Sequence, residues 1–217
     1  VGPEALDLRA GHVVQANDGV AVVKLDQLLR SMHFAGEDAE LVMTTDYYEP
    51  PSEPEDADHK GDMSAAYAHA AYVAEIEVDT WTGGVRVEKI TVAQDVGRVI
   101  NALGLEGQIE GGIAMGIGYG LSEDLIIEEG IVRNPSFRDY KLLTAPEMPE
   151  IEFHFIEKDN ANGPYGAKGI SELPAIVTAP AIANAVYNAI GVRFNDPPLT
   201  PEKIARALHS KMAEADG

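Results

Sequence analysis

Residues 108–121 set the strongest constraint on how this chain folds. Ile109, Ile113, Met115, Ile117 and Leu121 recur at helical spacing, and Gly112, Gly116 and Gly120 recur at intervals of one helical turn. Each interior glycine costs about 1 kcal/mol against alanine. Three in line are sustained only where something packs against the bare face. Two occupants fit: another backbone or helix at close range, or a bound cofactor at the N-terminal end near Gln108. Taken alone, the pattern favours plain packing, the usual reason for such glycines. Membrane helices use the same spacing, but Glu110 and Glu123-Asp124 flank this short segment.

The rest of the chain alternates short strands and helices without a regular βαβ rhythm. Leu6-Asp7-Leu8, Val13-Val14-Gln15 and residues 20–23 read as strands joined by turns at Gly11 and Asn17-Asp18-Gly19. Leu25, Leu28, Leu29 and Met32 share one side of a helix. Residues 46–58, rich in proline and acid, read as a loop or linker. Tyr72, Ala74, Ile76 and Val78 alternate with polar neighbours, and residues 85–93 return as a second strand after Thr82-Gly83-Gly84. A hairpin is expected around Glu128-Glu129-Gly130, and a strand at residues 151–155. A second buried helix is predicted over 178–190, capped by Thr178 with Pro180 in its first turn, and a last one begins at Thr200-Pro201. This mixture predicts an α+β fold of β-hairpins and mixed sheet packed with buried helices. The expected organisation is one region over 1–217, with a loose N-terminal segment and acidic linker to about residue 60 and a core from 61.

Composition removes several function classes. With 36 acidic against 16 basic residues the formal charge is −20, which disfavours nucleic acid and anionic membrane as partners. No apolar run is expected to cross a bilayer. The 0 cysteines exclude a disulfide framework, a cysteine nucleophile and cysteine-ligated iron–sulfur clusters in this chain. The 6 histidines are scattered, so the sequence offers no zinc spacing and no metal-ligating residues are assigned. Neither a phosphate-loop lysine nor a dinucleotide glycine fingerprint is present. Val1 is not an initiator, so the missing signal peptide carries little weight.

Chemistry concentrates in Gly163-Pro164-Tyr165-Gly166-Ala167-Lys168-Gly169-Ile170-Ser171-Glu172-Leu173-Pro174, where a glycine-rich loop ends in one carboxylate before an apolar segment. Such a position lets a carboxylate be partly desolvated and still reach a substrate, which makes it a better base. An exposed loop glutamate beside a proline is the plain alternative.

Four stretches in order resemble the molybdenum hydroxylases, the xanthine dehydrogenase and aldehyde oxidoreductase family. They are Asp95-Val96-Gly97-Arg98-Val99-Ile100-Asn101, Gly107-Gln108-Ile109-Glu110-Gly111-Gly112, Asn134-Pro135-Ser136-Phe137-Arg138-Asp139-Tyr140, and the loop ending in Glu172. The tail Pro198-Leu199-Thr200-Pro201-Glu202-Lys203-Ile204 fits as well. Ser171 and Leu173 depart from the family, where Gly and Pro are common. The resemblance implies the C-terminal part of a molybdopterin-binding subunit, of the second molybdenum-cofactor-binding domain type. It implies Glu172 as the general base in hydroxylation of an N-heterocycle or aldehyde with water as oxygen source. Gln108, Gly111, Gly112, Lys168 and Gly169 become expected contacts of the molybdenum-pterin cofactor, whose nucleotide form stays open. Iron–sulfur clusters and FAD are expected on other chains or segments, together with the rest of the subunit as partner. The expected location is the cytoplasm. Two alternatives stay open: a non-catalytic interaction subunit that binds no metal, and a metal-independent hydrolase using Glu172.

Overall fold

The computed structural model describes residues 3–36 and 43–215. It divides into two compact units, Val1–Glu49 and Pro50–Gly217. In the first, β1 (Leu6–Arg9), β2 (His12–Gln15) and β3 (Ala21–Lys24) form an antiparallel sheet in that order, followed by α1 (Leu25–His33). Val14 is the buried apolar residue of this unit among those described.

The second unit is built on a mixed three-stranded sheet. β4 (Ala70–Val78) and β5 (Val85–Asp95) form the expected hairpin, and β8 (Glu150–Ile156) lies parallel to β5. A parallel neighbour needs a crossover. Here it is supplied by α2 (Ala102–Leu121), the small hairpin β6 (Ile127–Glu128) and β7 (Ile131–Val132), and the loop after them. α3 (Leu173–Ile190) and α4 (Pro201–Ala215) complete the unit. The mixed sheet and packed helices are an α+β arrangement. Ile90 and Val92 of β5, Ile109, Ile113 and Ile117 of α2, and Ile182 and Val186 of α3 make the core, with Ile204 of α4. Each such side chain contributes about 1.5–3 kcal/mol on burial. The opposite face of the sheet is wet and charged, with Arg86 paired to Glu77 and Lys89 to Glu152.

The glycine row packs helix against helix. A Cβ on Gly112 would lie 2.6 Å from the Pro174 Cβ, and one on Gly116 would lie 2.5 Å from the Thr178 Cβ. α2 and α3 therefore touch backbone to side chain, nearer than any residue with a side chain would permit. Gly112 is buried in that contact. Met115, expected in the apolar body of α2, is 58% exposed on the far side.

Both buried helices start earlier than their patterns predict. Asn101 caps α2 by accepting the Gly104 N–H at 3.0 Å. In α3 the first-turn proline is Pro174, and Thr178 is interior, donating its hydroxyl to the Pro174 carbonyl at 2.7 Å. Pro180 sits inside the helix, and Gly191 closes it in the left-handed conformation. The longer α3 also overturns the expectation about apolar runs. Its 18 residues contain no charge and are long and apolar enough to span a bilayer by length and composition. Its buried face, Pro174, Thr178, Ala179, Ile182, Val186 and Ile190, lies in the core with α2 and the sheet.

Gly116→Leu should abolish soluble assembly or lower the thermal midpoint sharply, since overpacking alone costs about 1–3 kcal/mol. Gly111→Ala is the matched control. A Cβ there meets nothing within 4 Å, so the midpoint should hold or rise. Thermal unfolding of the two variants separates a packed glycine face from a merely small one.

Candidate active site

Three of the four sequence stretches converge at one end of α2. β5 ends in Asp95, and the chain turns at Gly97, whose φ is +63°. A Cβ at Gly97 would overlap the carbonyl oxygen of Gly166, so only glycine fits. The approach is zipped by backbone bonds, Lys168 N–H to the Val96 carbonyl at 3.1 Å and Arg98 N–H to the Gly166 carbonyl at 2.9 Å. The glycine-rich loop is thus fixed to the end of β5. From there it runs to Ser171, whose carbonyl accepts a hydrogen bond from Gln108 Nε2 at 2.9 Å.

Lys168 is spent inside this junction. Its ammonium donates to Asp95 Oδ2 at 2.5 Å and to the Tyr67 carbonyl at 2.9 Å, and its side chain is 15% exposed. In this arrangement it acts as an internal strut. The Lys168 hydrogen bond, more than any other influence, holds the Asp95 carboxyl below the usual carboxylate range. The Gly97 N–H at 3.1 Å adds to this, and His69 lies 3.8 Å away.

Glu172 occupies the N-cap position of α3 without capping it. Its carbonyl receives the Ala175 and Ile176 N–H groups at 3.0 and 3.2 Å, while its side chain makes no cap hydrogen bond. Glu172 is exposed, so the partial desolvation expected for a base is not provided by this chain. The carboxylate stands beside a helix N-terminus, where the peptide dipoles favour negative charge. Ser171, immediately before it, has a φ of +45°. For a residue with a Cβ the left-handed region costs roughly 1–2 kcal/mol.

On the outer face of α2, Gly107, Gln108 and Gly111 lie side by side. A Cβ on either glycine would meet nothing within 4 Å. Gly169 is exposed in the same open way. Bare backbone beside an amide that keeps its carbonyl oxygen for another donor suits a flat, polar, multiply hydrogen-bonding ligand. Among the described residues no three His, Asp or Glu side chains lie together. A metal at this site would arrive with ligands of its own, so the residues present fit a metal-carrying organic cofactor and not a bare ion. The adjoining cleft, lined by Arg98, Asn101, Gln108, Lys168 and Ser171, has a volume of about 260 Å³. That is below the roughly 300–1,000 Å³ of pockets that enclose a ligand, so this cleft alone does not enclose one. Two larger hollows, about 850 and 750 Å³, contain neither Gln108 nor Glu172.

The stretch from Asn134 to Tyr140 does not join the site. Asn134 bridges the Asp124 carbonyl and the Ile126 N–H, and Tyr140 donates to Glu123 at 2.7 Å. These bonds brace the C-terminal end of α2, about 20 Å along the axis from Gln108 at 1.5 Å per residue. Sequence reasoning also missed Asp95 as the partner of Lys168, and the buried pair Tyr72–Gln94. The Tyr72 hydroxyl donates to Gln94 Oε1 at 2.6 Å, and burial pushes its pKa well above the phenol value. An acid at a strand end opposite a loop lysine was the available signal for Asp95. A lone glutamine in the alternating strand 85–95 was the signal for Gln94.

The family profile described as molybdopterin cofactor-binding domain matches residues 1–149. Over 137 residues the chain is 41% identical to the xanthine dehydrogenase molybdenum-binding subunit of Escherichia coli O157:H7, covering 62% of this chain and 18% of that protein. It is 35% identical over 149 residues to the aldehyde oxidoreductase of Megalodesulfovibrio gigas, covering 68% and 16%. Among solved structures, quinoline 2-oxidoreductase from Pseudomonas putida 86 superposes with a TM-score of 0.74 at 25% identity, over 96% of this chain and 26% of the other. The chain belongs to the molybdopterin cofactor-binding domain family. It spans under a fifth of the length of these curated relatives.

Asp95→Asn should destabilise the protein at neutral pH by about 1–3 kcal/mol, because it leaves the half-buried Lys168 ammonium without its charged partner. The folded-state pKa of Asp95 is depressed. The wild-type advantage is therefore fully present above the unfolded value and is lost as pH falls through the folded one. Thermal or urea unfolding of both proteins from pH 7 down to pH 3 should show the difference shrinking toward the acid end.

Proposed function

We propose that this chain is part of the molybdopterin-binding subunit of a molybdenum-dependent hydroxylase, as a domain of the second molybdenum-cofactor-binding type. The enzyme oxidises an N-heterocycle or an aldehyde with water as the oxygen source. The observation that carries this is the Glu172 carboxylate, without a partner among the described residues and held at the start of α3 one residue after a carbonyl anchored by Gln108. The relatives support the class, being named as a xanthine dehydrogenase subunit and an aldehyde oxidoreductase.

When bound, the molybdenum-pterin cofactor supplies the two-electron redox centre and the oxygen-transfer chemistry. This chain supplies the proton chemistry and part of the binding. Glu172 is the general base, accepting a proton from the attacking oxygen and carrying it to solvent. Gln108 offers its amide to the cofactor, and Gly107 and Gly111 let that cofactor approach the backbone of α2. Gly169 gives the loop the same bare surface. Lys168 and Asp95 hold the loop and take no part in the chemistry. Iron–sulfur and flavin centres lie on other segments or subunits, in keeping with the 0 cysteines of this chain.

Glu172→Gln keeps the shape and cannot take the proton. In the assembled enzyme kcat should fall at least ~10²-fold with molybdenum content unchanged. Retention of more than about a tenth of the wild-type kcat would show that the base is elsewhere. An assembled wild-type complex free of molybdenum would instead mark the chain as a non-catalytic interaction subunit.

The outward faces of α2 and α3 carry Leu103, Met115, Tyr119 and Ile176, each more than half exposed. A helix apolar on all sides ordinarily has partners on all sides. Residues 1–217 expressed alone should therefore self-associate and hold far less than stoichiometric molybdenum. Size-exclusion chromatography with metal analysis checks both, and a monodisperse monomer with full molybdenum and steady turnover would show that this chain encloses the cofactor by itself.

A further inference from the structure

The turn that presents Glu172 is unusual in its backbone. The Leu173 N–H donates to the Ile170 carbonyl at 3.2 Å, making Ser171 and Glu172 the two central residues. Ser171 has a φ of +45°, and Glu172 sits at φ −98°, ψ 4°. A corner with positive φ at its first central residue belongs to glycine, and here a serine occupies it. One side-chain hydrogen bond from another element reaches this corner. Gln108 Nε2, 63 residues earlier on α2, donates to the Ser171 carbonyl at 2.9 Å. That carbonyl belongs to the peptide joining Ser171 to Glu172. Its orientation sets where the Glu172 side chain leaves the backbone.

We infer that Gln108 is a positioning residue for Glu172, locking the Ser171–Glu172 peptide plane in a turn that serine holds only under strain. This couples the two ends of the candidate site. One amide faces the cofactor with its carbonyl oxygen and grips the turn carrying the base with its nitrogen. The effect on turnover rests on the base assignment above. The effect on the turn does not.

The test uses the assembled holoenzyme as wild type, Gln108→Met, Ser171→Gly and the double variant. Deuterium uptake over residues 168–176 is measured beside kcat, KM and molybdenum content. Gln108→Met keeps the side-chain length and removes the donor. It should speed exchange of the turn amides about tenfold and lower kcat about tenfold, with KM within about threefold. Ser171→Gly in that background should restore exchange to within about threefold of wild type, because glycine holds positive φ unaided. It should also raise kcat above that of Gln108→Met, the remaining deficit being the lost cofactor contact. A purely structural or purely cofactor-binding glutamine would not be rescued by a glycine on another element. Unchanged exchange in Gln108→Met, or failure of the glycine to rescue, overturns the inference. So does loss of molybdenum with exchange still slow. Where Gln108→Met does not assemble, Ser171→Gly alone decides: its thermal midpoint should rise and its turn exchange slow, and a fall in either protection overturns the proposal. Should Glu172→Gln stay active while exchange follows the pattern above, the base assignment fails and the clamp stands.

Discussion

Everything in the second unit depends on how closely α2 and α3 approach. The contact exists because Gly112 and Gly116 have no side chains where Pro174 and Thr178 press in. It fixes α3 along its first two turns, so the start of that helix is a defined point. Glu172 is the residue at that point, and Ser171 is held from α2 itself. The isoleucines on the neighbouring face of α2 and those of α3 then meet β5 in one core. Widening the helix pair by one side chain would move the carboxylate and unpack the core together. A displacement near 1 Å is already costly for a positioned catalytic group.

The second determinant is electrostatic and local. The chain as a whole is strongly acidic, but the cations near the site are matched one to one. Lys168 answers Asp95, and Arg98 answers Asp159 at 2.9 Å. These pairs tie the glycine-rich loop to the end of β5 and leave the Glu172 carboxylate without a basic partner among the described residues. An ion pair to that carboxylate would make it a weaker proton acceptor. The division of labour follows: lysine and arginine build the loop, and the glutamate remains for chemistry. The Lys168–Asp95 pair is shielded enough to matter, whereas Arg98 and Asp159, each more than half exposed, form the kind of pair that contributes little.

Much of this was legible in the sequence, for reasons specific to particular residues. The row Gly112, Gly116, Gly120 announced a close neighbour because its local cost has no other remedy. The alternation from Tyr72 to Val78 and the Gly83-Gly84 turn gave the hairpin its place. Helix starts were harder. Thr178 with Pro180 mimics a cap followed by a first-turn proline, but Pro174 fills the same role earlier and the helix runs through both. The parallel pairing of β8 with β5 has no sequence signature, since a half-buried strand looks alike beside either neighbour. The pairing of Lys168 has no local signature, because its partner lies 73 residues away. The exposure of Glu172 was hidden because burial depends on surfaces that a local pattern does not encode.

The long sequence separations have a consequence for how the chain is made. α2 leaves the ribosome with its glycine face bare, and the helix that covers it follows only after β6, β7 and β8. The Gln108–Ser171 bond spans 63 residues and the Lys168–Asp95 bond spans 73. At roughly 5–20 residues per second, several seconds pass between synthesis of the first partner and the second. During that interval α2 has the β4–β5 hairpin for its isoleucine face but no helix against its glycine face. The site therefore cannot take shape until α3 has been made and has docked on α2.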